Sequence, residues 1–344
     1  MYQYIRSLLF QLDPEWAHDL TLSLLRLTGR GRPLRAVLKR YFKANKSRPV
    51  NLLGLRFPNP VGMAAGYDKD GTAWPGLAAL GFGHIELGTV TPKPQAGNPK
   101  PRIFRMPAEQ ALINRMGFPG KGAEFLYQQL LDQADQRNKK EFILGLNIGK
   151  NRTTPNQLAA EDYLQLLEKF FGLVDYMAVN VSSPNTIGLR NLQTRDHLET
   201  LVTRLVKKRD QLTAGSNQSL PLLIKLSPDL SSTELDDALE ALDSGGADGV
   251  IATNTTTSRE GLDGPVSRQE GGLSGAPLRD RSTAMIKEIS RRTSGRLPII
   301  GVGGIASAED ALEKLDAGAD LIQIYTGLVY QGPGLVKTLV DALH

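Results

Sequence analysis

Eight short apolar runs constrain this chain more than any other feature. They are Val61–Ala64, His84–Leu87, Phe142–Leu146, Tyr176–Val179, Leu222–Leu226, Val250–Ala252, Ile299–Val302 and Leu321–Ile324. They recur about 37 residues apart on average, with helical patterns between them, and such alternation predicts a parallel sheet. Eight units predict its closure, so the expected fold is α/β, a (β/α)8 TIM barrel with a small N-terminal helical extension. At 344 residues the length is ordinary for such a barrel with additions. Val50 to Phe57, turning at Gly54, reads as a hairpin closing the barrel's bottom.

What stands where each run ends predicts a site. In order these are Ala65-Gly66-Tyr67-Asp68-Lys69, Gly88-Thr89, Asn147, Asn180, Lys225 (one residue inside its run), Thr253-Asn254-Thr255, Gly303-Gly304 and Tyr325-Thr326. Every strand delivers glycine or a hydrogen-bonding side chain to one face, and in barrels the C-terminal face carries the chemistry. The fourth run is the most pointed: buried Tyr176–Val179 gives way to Asn180, Ser182, Ser183, Asn185 and Thr186, with Pro184 blocking a helix. Two lysines, Lys69 and Lys225, aimed into one mouth with no carboxylate run nearby suggest an anionic ligand. Gly301-Val-Gly303-Gly304-Ile-Ala306 fits a dinucleotide fingerprint, yet only 38 residues follow, too few for the strands of a dinucleotide-binding domain. At a seventh barrel strand, with Thr326-Gly327 after the eighth, the same glycines predict a phosphate cradle, helped by a helix N-terminus at Ser307. A mononucleotide cofactor follows, with flavin mononucleotide (FMN) the natural candidate.

The chain has no cysteine, which excludes disulfides, thiolate metal ligands and a cysteine nucleophile or acid. His18, His84, His197 and His344 lack ligand spacing, so no metal site is expected. Charge is concentrated at one end. Residues 1–49 hold ten Lys/Arg against Asp13, Glu15 and Asp19, a net of +7, whereas the rest is slightly acidic. That pattern fits an anionic membrane surface better than nucleic acid.

The chain therefore divides into residues 1–49 and a barrel of residues 50–344. Met1 to Leu12 and the segment after Asp13-Pro14 read as two amphipathic helices, followed by a basic stretch with eight Lys/Arg between Thr28 and Arg48. The apolar run is far short of the about 20 residues that span a bilayer, so peripheral association is expected.

At this point the chain closely resembles the dihydroorotate dehydrogenases, specifically the membrane-associated, quinone-reducing class 2 enzymes of bacterial type. The resemblance covers nearly the whole length. It rests on Asp13-Pro14-Glu15-Trp-Ala-His18, Ala64-Ala-Gly66-Tyr-Asp-Lys69, Pro101-Arg-Ile-Phe-Arg105 and Ile113-Asn114-Arg-Met-Gly117-Phe118. Asn180-Val-Ser-Ser183-Pro184-Asn185-Thr186, Thr253-Asn254-Thr255, Gly271-Gly-Leu-Ser-Gly275 and Ile300-Gly-Val-Gly-Gly304-Ile305 complete it. It implies oxidation of dihydroorotate to orotate in pyrimidine synthesis: hydride leaves the substrate C6 for the flavin, a base removes the C5 proton, and a quinone reoxidises the flavin. By the same resemblance Ser183 is the base, Thr186 passes the proton on and Phe118 walls the site. Lys69, Asn114, Arg115, Met116, Gly117, Phe118, Asn180, Asn185, Asn254 and Thr255 hold the substrate. Ala65, Gly66, Tyr67, Asp68, Lys69, Thr89, Asn147, Asn180, Lys225, Thr253, Gly275, Gly304, Tyr325 and Thr326 hold FMN. His18, Arg105 and Tyr325 lie at the inner end of a quinone passage under the N-terminal helices.

The proline-rich stretch Thr91–Pro101 is expected to cross the barrel mouth, and the loop Ser182–Leu192 to gate it. The alternatives are another FMN-dependent barrel oxidoreductase and a non-catalytic membrane-docking barrel. Flavin barrels that reduce uridine in RNA and barrels that oxidise inosinate require an active-site cysteine that this chain lacks. A monomer on the cytoplasmic face of the cell membrane is the remaining expectation, the latter because the sequence shows no transit peptide.

Overall fold

All eight apolar runs form strands, and the strands close. In the computed structural model, which describes residues 2–137, 141–186, 188–216 and 218–344, β1 (Val50–Leu52), β2 (Leu55–Phe57), β3 (Val61–Met63) and β4 (His84–Val90) come first. β5 (Ile103–Met106), β6 (Ala111–Asn114), β7 (Ile143–Ile148), β8 (Tyr176–Asn180) and β9 (Leu222–Leu226) follow. The last are β10 (Gly249–Ala252), β11 (Gly272–Gly275), β12 (Ile299–Val302) and β13 (Leu321–Ile324). β3, β4, β7, β8, β9, β10, β12 and β13 pair in parallel in that order, and β13 returns to β3 through Ile322↔Val61.

Their residues are buried on both faces, as strands sandwiched between an interior and a ring of helices must be. Part of the register is pinned from below. Asp175, Asp248 and Asp320 each precede a strand, and each carboxylate accepts the N–H that opens or nearly opens its neighbour, at Leu144 (2.8 Å), Leu222 (2.8 Å) and Ile299 (2.9 Å). β1 and β2 form the expected hairpin, turning through Leu53 and Gly54, both at positive φ. Phe57, fully buried beside Tyr176, Leu223, Ile251 and Ile300, plugs the bottom.

A second sheet was not legible beforehand. β6 pairs antiparallel with both β5 and β11, joining Ala111 to Gly275 and Asn114 to Gly272 across the mouth. Its strands have only four residues each and belong to excursions from two different barrel units. No local period could announce their pairing.

Three helices precede the barrel: α1 (Tyr2–Leu9), α2 (Pro14–Arg30) and α3 (Arg32–Tyr41). Asp13 caps α2 by accepting from the Glu15 and Trp16 N–H groups, with Pro14 in the first turn. The expectation of two helices and a basic stretch falls short by one element. Pro33 sits at the start of α3, where a missing N–H does no harm, so the basic stretch winds up too. α2 lies on α4 (Trp74–Ala78) with backbones touching: a Cβ on Gly76 would sit 2.1 Å from the Leu25 carbonyl oxygen. Within the three helices only Ala17 and Gly29 are fully buried.

Candidate active site

The strand ends surround one cleft of about 1160 Å³, its open mouth included. Its base is a polar network inside the barrel. Glu86 on β4 is completely buried, and its carboxylate accepts from Asn147 Nδ2 (2.8 Å), Gln323 Nε2 (2.8 Å) and the Tyr176 hydroxyl (3.1 Å). Lys225 Nζ stands 3.8 Å from the same carboxylate and lines the cleft above it. The expectation of two lysines without a carboxylate nearby is thus corrected: Lys225 has a buried counter-charge. A buried ion must be paired or coordinated, and Glu86 meets that requirement from inside an apolar run. A lone charged residue in such a run was the visible signal of it.

Above this base sits a lattice of amides. Asn180 Nδ2 donates to Thr89 Oγ1 and Asn147 Oδ1, both at 3.1 Å, while its Oδ1 accepts from Asn254 Nδ2 at 3.1 Å. Asn254 also donates to Ser182 Oγ (3.0 Å), and Asn185 donates to Asn114 Oδ1 (3.1 Å). Because the amides hold one another, their remaining donors and acceptors face the cleft in fixed directions. Ser183, Thr255, Met116, Gly117 and Phe118 share the same wall. Ser183 is only 5% exposed, and its Oγ accepts the Asn185 N–H at 3.3 Å. Phe118 holds φ of +53°, a left-handed conformation that turns the chain after Gly117. Lys69 reaches over the cleft from the first strand and donates to the Gly66 carbonyl at 2.6 Å; burial pulls its pKa below the ordinary lysine value.

The opposite end is a cradle of backbone. Gly275, Gly303 and Gly304 line it, all at positive φ, and the last two admit no Cβ without meeting Ser282 or Arg279. Among the described residues, the Gly304 and Ile305 N–H groups find no acceptor within the chain. The helix Thr326–Gln331 starts here with no side-chain cap, and Thr326 shares a 2.8 Å hydroxyl contact with Ser274. Uncapped N–H groups, a helix start and two hydroxyls fit a phosphate group. The helix start expected at Ser307 does not serve. Asp310 accepts from the Ala306 and Ser307 N–H groups, so a carboxylate already closes it.

Several expected residues stand outside this cleft. Asp68 turns inward to accept from the Thr72 (2.8 Å) and Ala73 (2.7 Å) N–H groups, and burial raises its pKa to about 6. It braces the loop that carries Lys69. Asn147 is wholly buried and supports Asn180 from behind. Arg115 points outward, stacked on Phe104 at 4.9 Å and bonded to Pro101 and Gln269. Thr186 is buried but does not line the cleft, and the described hydrogen bonds do not link it to Ser183. Next to it, Ile187 of the expected gate lies outside the described residues. Residues that sequence reasoning missed are Ser274, Leu278, Gln323, Ile103 and Leu112, four of them contributed by the small second sheet or by the turn after it.

Tyr67 belongs to a different surface from the one expected. Its ring packs edge-on against His18 (5.0 Å) and Tyr325 (5.9 Å), and its hydroxyl meets Thr21 Oγ1 at 3.1 Å. Tyr325 also lines the cleft, so this aromatic row runs from α2 to the site's inner edge. Burial, reinforced by the Lys69 charge, lowers the His18 pKa to about 3, so its imidazole is neutral at ordinary pH. Arg105 does not join the row. It lies over the Phe10 ring at 4.6 Å and donates to the Phe10 and Leu12 carbonyls, tying the α1–α2 turn to β5.

This geometry can be set beside known proteins. The sequence model of the family described as Dihydroorotate dehydrogenase matches residues 48–344. The chain belongs to the dihydroorotate dehydrogenase family. It is 49% identical over 344 residues to the dihydroorotate dehydrogenase (quinone) of Pseudomonas savastanoi pv. phaseolicola, covering all of this chain and 98% of that one. It is 48% identical to that of Shewanella halifaxensis over 99% of this chain and 98% of that one. The solved ligand-free DHODH of Eimeria tenella superimposes with a TM-score of 0.87 at 37% identity, covering 96% of this chain and 94% of that one. Both bacterial relatives span the N-terminal helices, whereas the family match begins at residue 48, where the barrel segment starts.

Proposed function

We propose that the protein oxidises dihydroorotate to orotate with FMN in pyrimidine synthesis and passes the electrons to a membrane quinone. The observation that carries this is that one cleft holds both a phosphate-sized backbone cradle at one end and Ser183 among fixed amides at the other. FMN, when bound, accepts the hydride that leaves substrate C6. Its phosphate belongs at Gly304, Ile305, Thr326 and Gly327, and Gly66, Thr89, Lys225, Thr253 and Gly275 surround its ring. Asn114, Asn180, Asn185, Asn254 and Thr255 hold the flat substrate ring, because an amide both donates and accepts. Lys69 would place a positive charge beside substrate and cofactor, and Lys225 would place another beside the cofactor's pyrimidine end, where preorganised charge favours a developing anion. Ser183 Oγ takes the C5 proton as its own hydroxyl proton leaves; Thr186, buried nearby, would join that path by turning towards Ser183. A serine hydroxyl is a weak base, so a dry, positively charged pocket is what makes it serve.

Residues 1–49 form the membrane and quinone-access element, and residues 50–344 the catalytic barrel. Of the thirteen exposed large hydrophobic side chains among the described residues, ten lie on α1, α2 and α3. No helix among the described residues is long and apolar enough to cross a membrane, and the outward apolar side chains of these helices support a peripheral, surface-lying mode. The quinone approaches beneath them along His18, Tyr67 and Tyr325, on the cytoplasmic face, to a monomer. The purified protein should be yellow, bleach on anaerobic addition of dihydroorotate and regain colour with a soluble quinone. A colourless protein, or one that dihydroorotate leaves yellow, would refute the assignment.

A further inference from the structure

A second groove, of about 810 Å³, lies between α3 and the barrel, away from the catalytic cleft. Its floor is apolar, made by Trp74, Pro75 and Phe142. Its rim is cationic: Arg32, Arg35 and Lys39 stand three and four residues apart and so share one face of α3. Among the described residues Arg32 has no ion-pair partner, and Arg35 donates only to the Gly29 carbonyl at 3.3 Å. Lys39 pairs with Glu141 at 2.6 Å, and both are about half exposed at the groove's edge.

The other face of α3 is inverted relative to a helix packed on a soluble domain. Leu34, Val37 and Tyr41 are 49%, 66% and 68% exposed, so the apolar stripe looks outward while the cations look back into the groove. None of the described residues covers this stripe, and a lipid surface beside the cationic rim would. The arginines of α3 then stand at the depth of the headgroups, over an apolar floor. We propose that this groove binds the headgroup of an anionic phospholipid, the phosphate between Arg32 and Arg35 and the glycerol end against Trp74. Arg guanidinium groups suit phosphate by their planar donor geometry. Glu141, paired with Lys39 at 2.6 Å, cancels one of the rim's cations and opposes such a ligand, so it sets the threshold of anionic charge at which the groove fills. This rests on the membrane-facing reading of residues 1–49 and goes beyond it by assigning a headgroup site.

The test uses the full-length flavin-loaded protein in flotation with vesicles of phosphatidylcholine, alone or mixed with phosphatidylglycerol. The parent should prefer the mixed vesicles. The variant R32Q/R35Q should lose at least about tenfold more affinity for them than R40Q/K43Q, which removes equal charge from α3 and its C-terminal flank outside the groove. Equal losses would mean diffuse attraction only and would overturn the site. E141Q should strengthen binding to mixed vesicles, and an unchanged or weakened affinity would count against the groove. Glycerol 3-phosphate serves as the soluble arm: if it binds the protein as tightly as the mixed vesicles do, the groove takes a free phosphate and not a lipid. L34Q/V37Q should lose both vesicle types. If it kept both, the membrane reading itself would fall, whereas a parent indifferent to phosphatidylglycerol would sink the headgroup site alone. Unchanged melting temperature and flavin content report that each variant has folded.

Discussion

The barrel mouth and the N-terminal helical layer solve opposite problems. In the mouth, buried polar groups are linked to one another: Glu86, Asn147, Asn180, Tyr176 and the Gln323 amide NH2 each find partners, and among these side chains only Gln323 Oε1 is left without one. In the helical layer the unsatisfied groups are apolar, with Leu24 54% and Leu27 63% exposed and two residues of three helices fully buried. The first arrangement costs polar desolvation and gives fixed directions; the second leaves hydrophobic surface for a partner that supplies its own apolar phase. One chain thus carries a preorganised polar cleft beside a loosely anchored apolar surface. The two meet at the aromatic row His18, Tyr67 and Tyr325.

The comparison breaks most visibly at Ser183. Ser183→Ala should leave flavin bound and slow its reduction by dihydroorotate by roughly 10²–10⁴-fold, the range for a positioned base. Stopped-flow absorbance checks this, and a near-parental rate would remove Ser183 from the chemistry. Next is the base of the mouth. Glu86→Gln turns an acceptor of three hydrogen bonds into a group whose NH2 faces other donors, and it strips Lys225 of its counter-charge. Removing one partner from a buried charged network should cost about 3 kcal/mol in urea unfolding. Parental stability would show that the network does not brace the site.

How much of this could be read beforehand follows the same divide. The eight strands, the bottom hairpin and the polar strand ends were legible because burial on both faces leaves an apolar run and a site leaves a polar stop. Most of the expected ligands line the cleft for that reason. Residue identity within a motif does not fix the direction of a side chain. Asp68 and Arg115 sit within motifs whose neighbours face the cleft, but backbone N–H groups and an outer aromatic claim their side chains. The β6–β11 pairing was invisible because contacts across 158 residues leave no local pattern, and β5 and β6, a hairpin of four-residue strands, are too short to show a period. α3 was missed because its apolar stripe, turned outward and interleaved with cations, looks like a solvated linker.

Gly76 sharpens the comparison from the other side. α2 can lie on α4 only because neither Gly29 nor Gly76 has a side chain, a Cβ at Gly29 falling 2.6 Å from the Gly76 nitrogen. Gly76→Val should therefore lift α2, at an overpacking cost of about 2 kcal/mol. Reduction by dihydroorotate should survive while reoxidation by a long-chain quinone slows. If both half-reactions fall together, the helical layer and the mouth are not separable.

The smallest effect concerns His84, which lies fully buried beneath the mouth with no partner for either ring nitrogen. Burial alone lowers its pKa to about 3, against 6.5 when unfolded. Between those values the unfolded chain binds the proton more readily, so the folded state loses stability as pH falls from about 6.5 towards about 3. His18 acts in the same direction and over the same window. His84→Leu should add about 1 kcal/mol at neutral pH by removing unpartnered polar atoms, and should make the acid loss shallower by one proton. Urea unfolding at pH 7 and pH 5 measures both. A variant less stable at pH 7 would mean that the imidazole is held by something other than packing against Phe57 and Gly62.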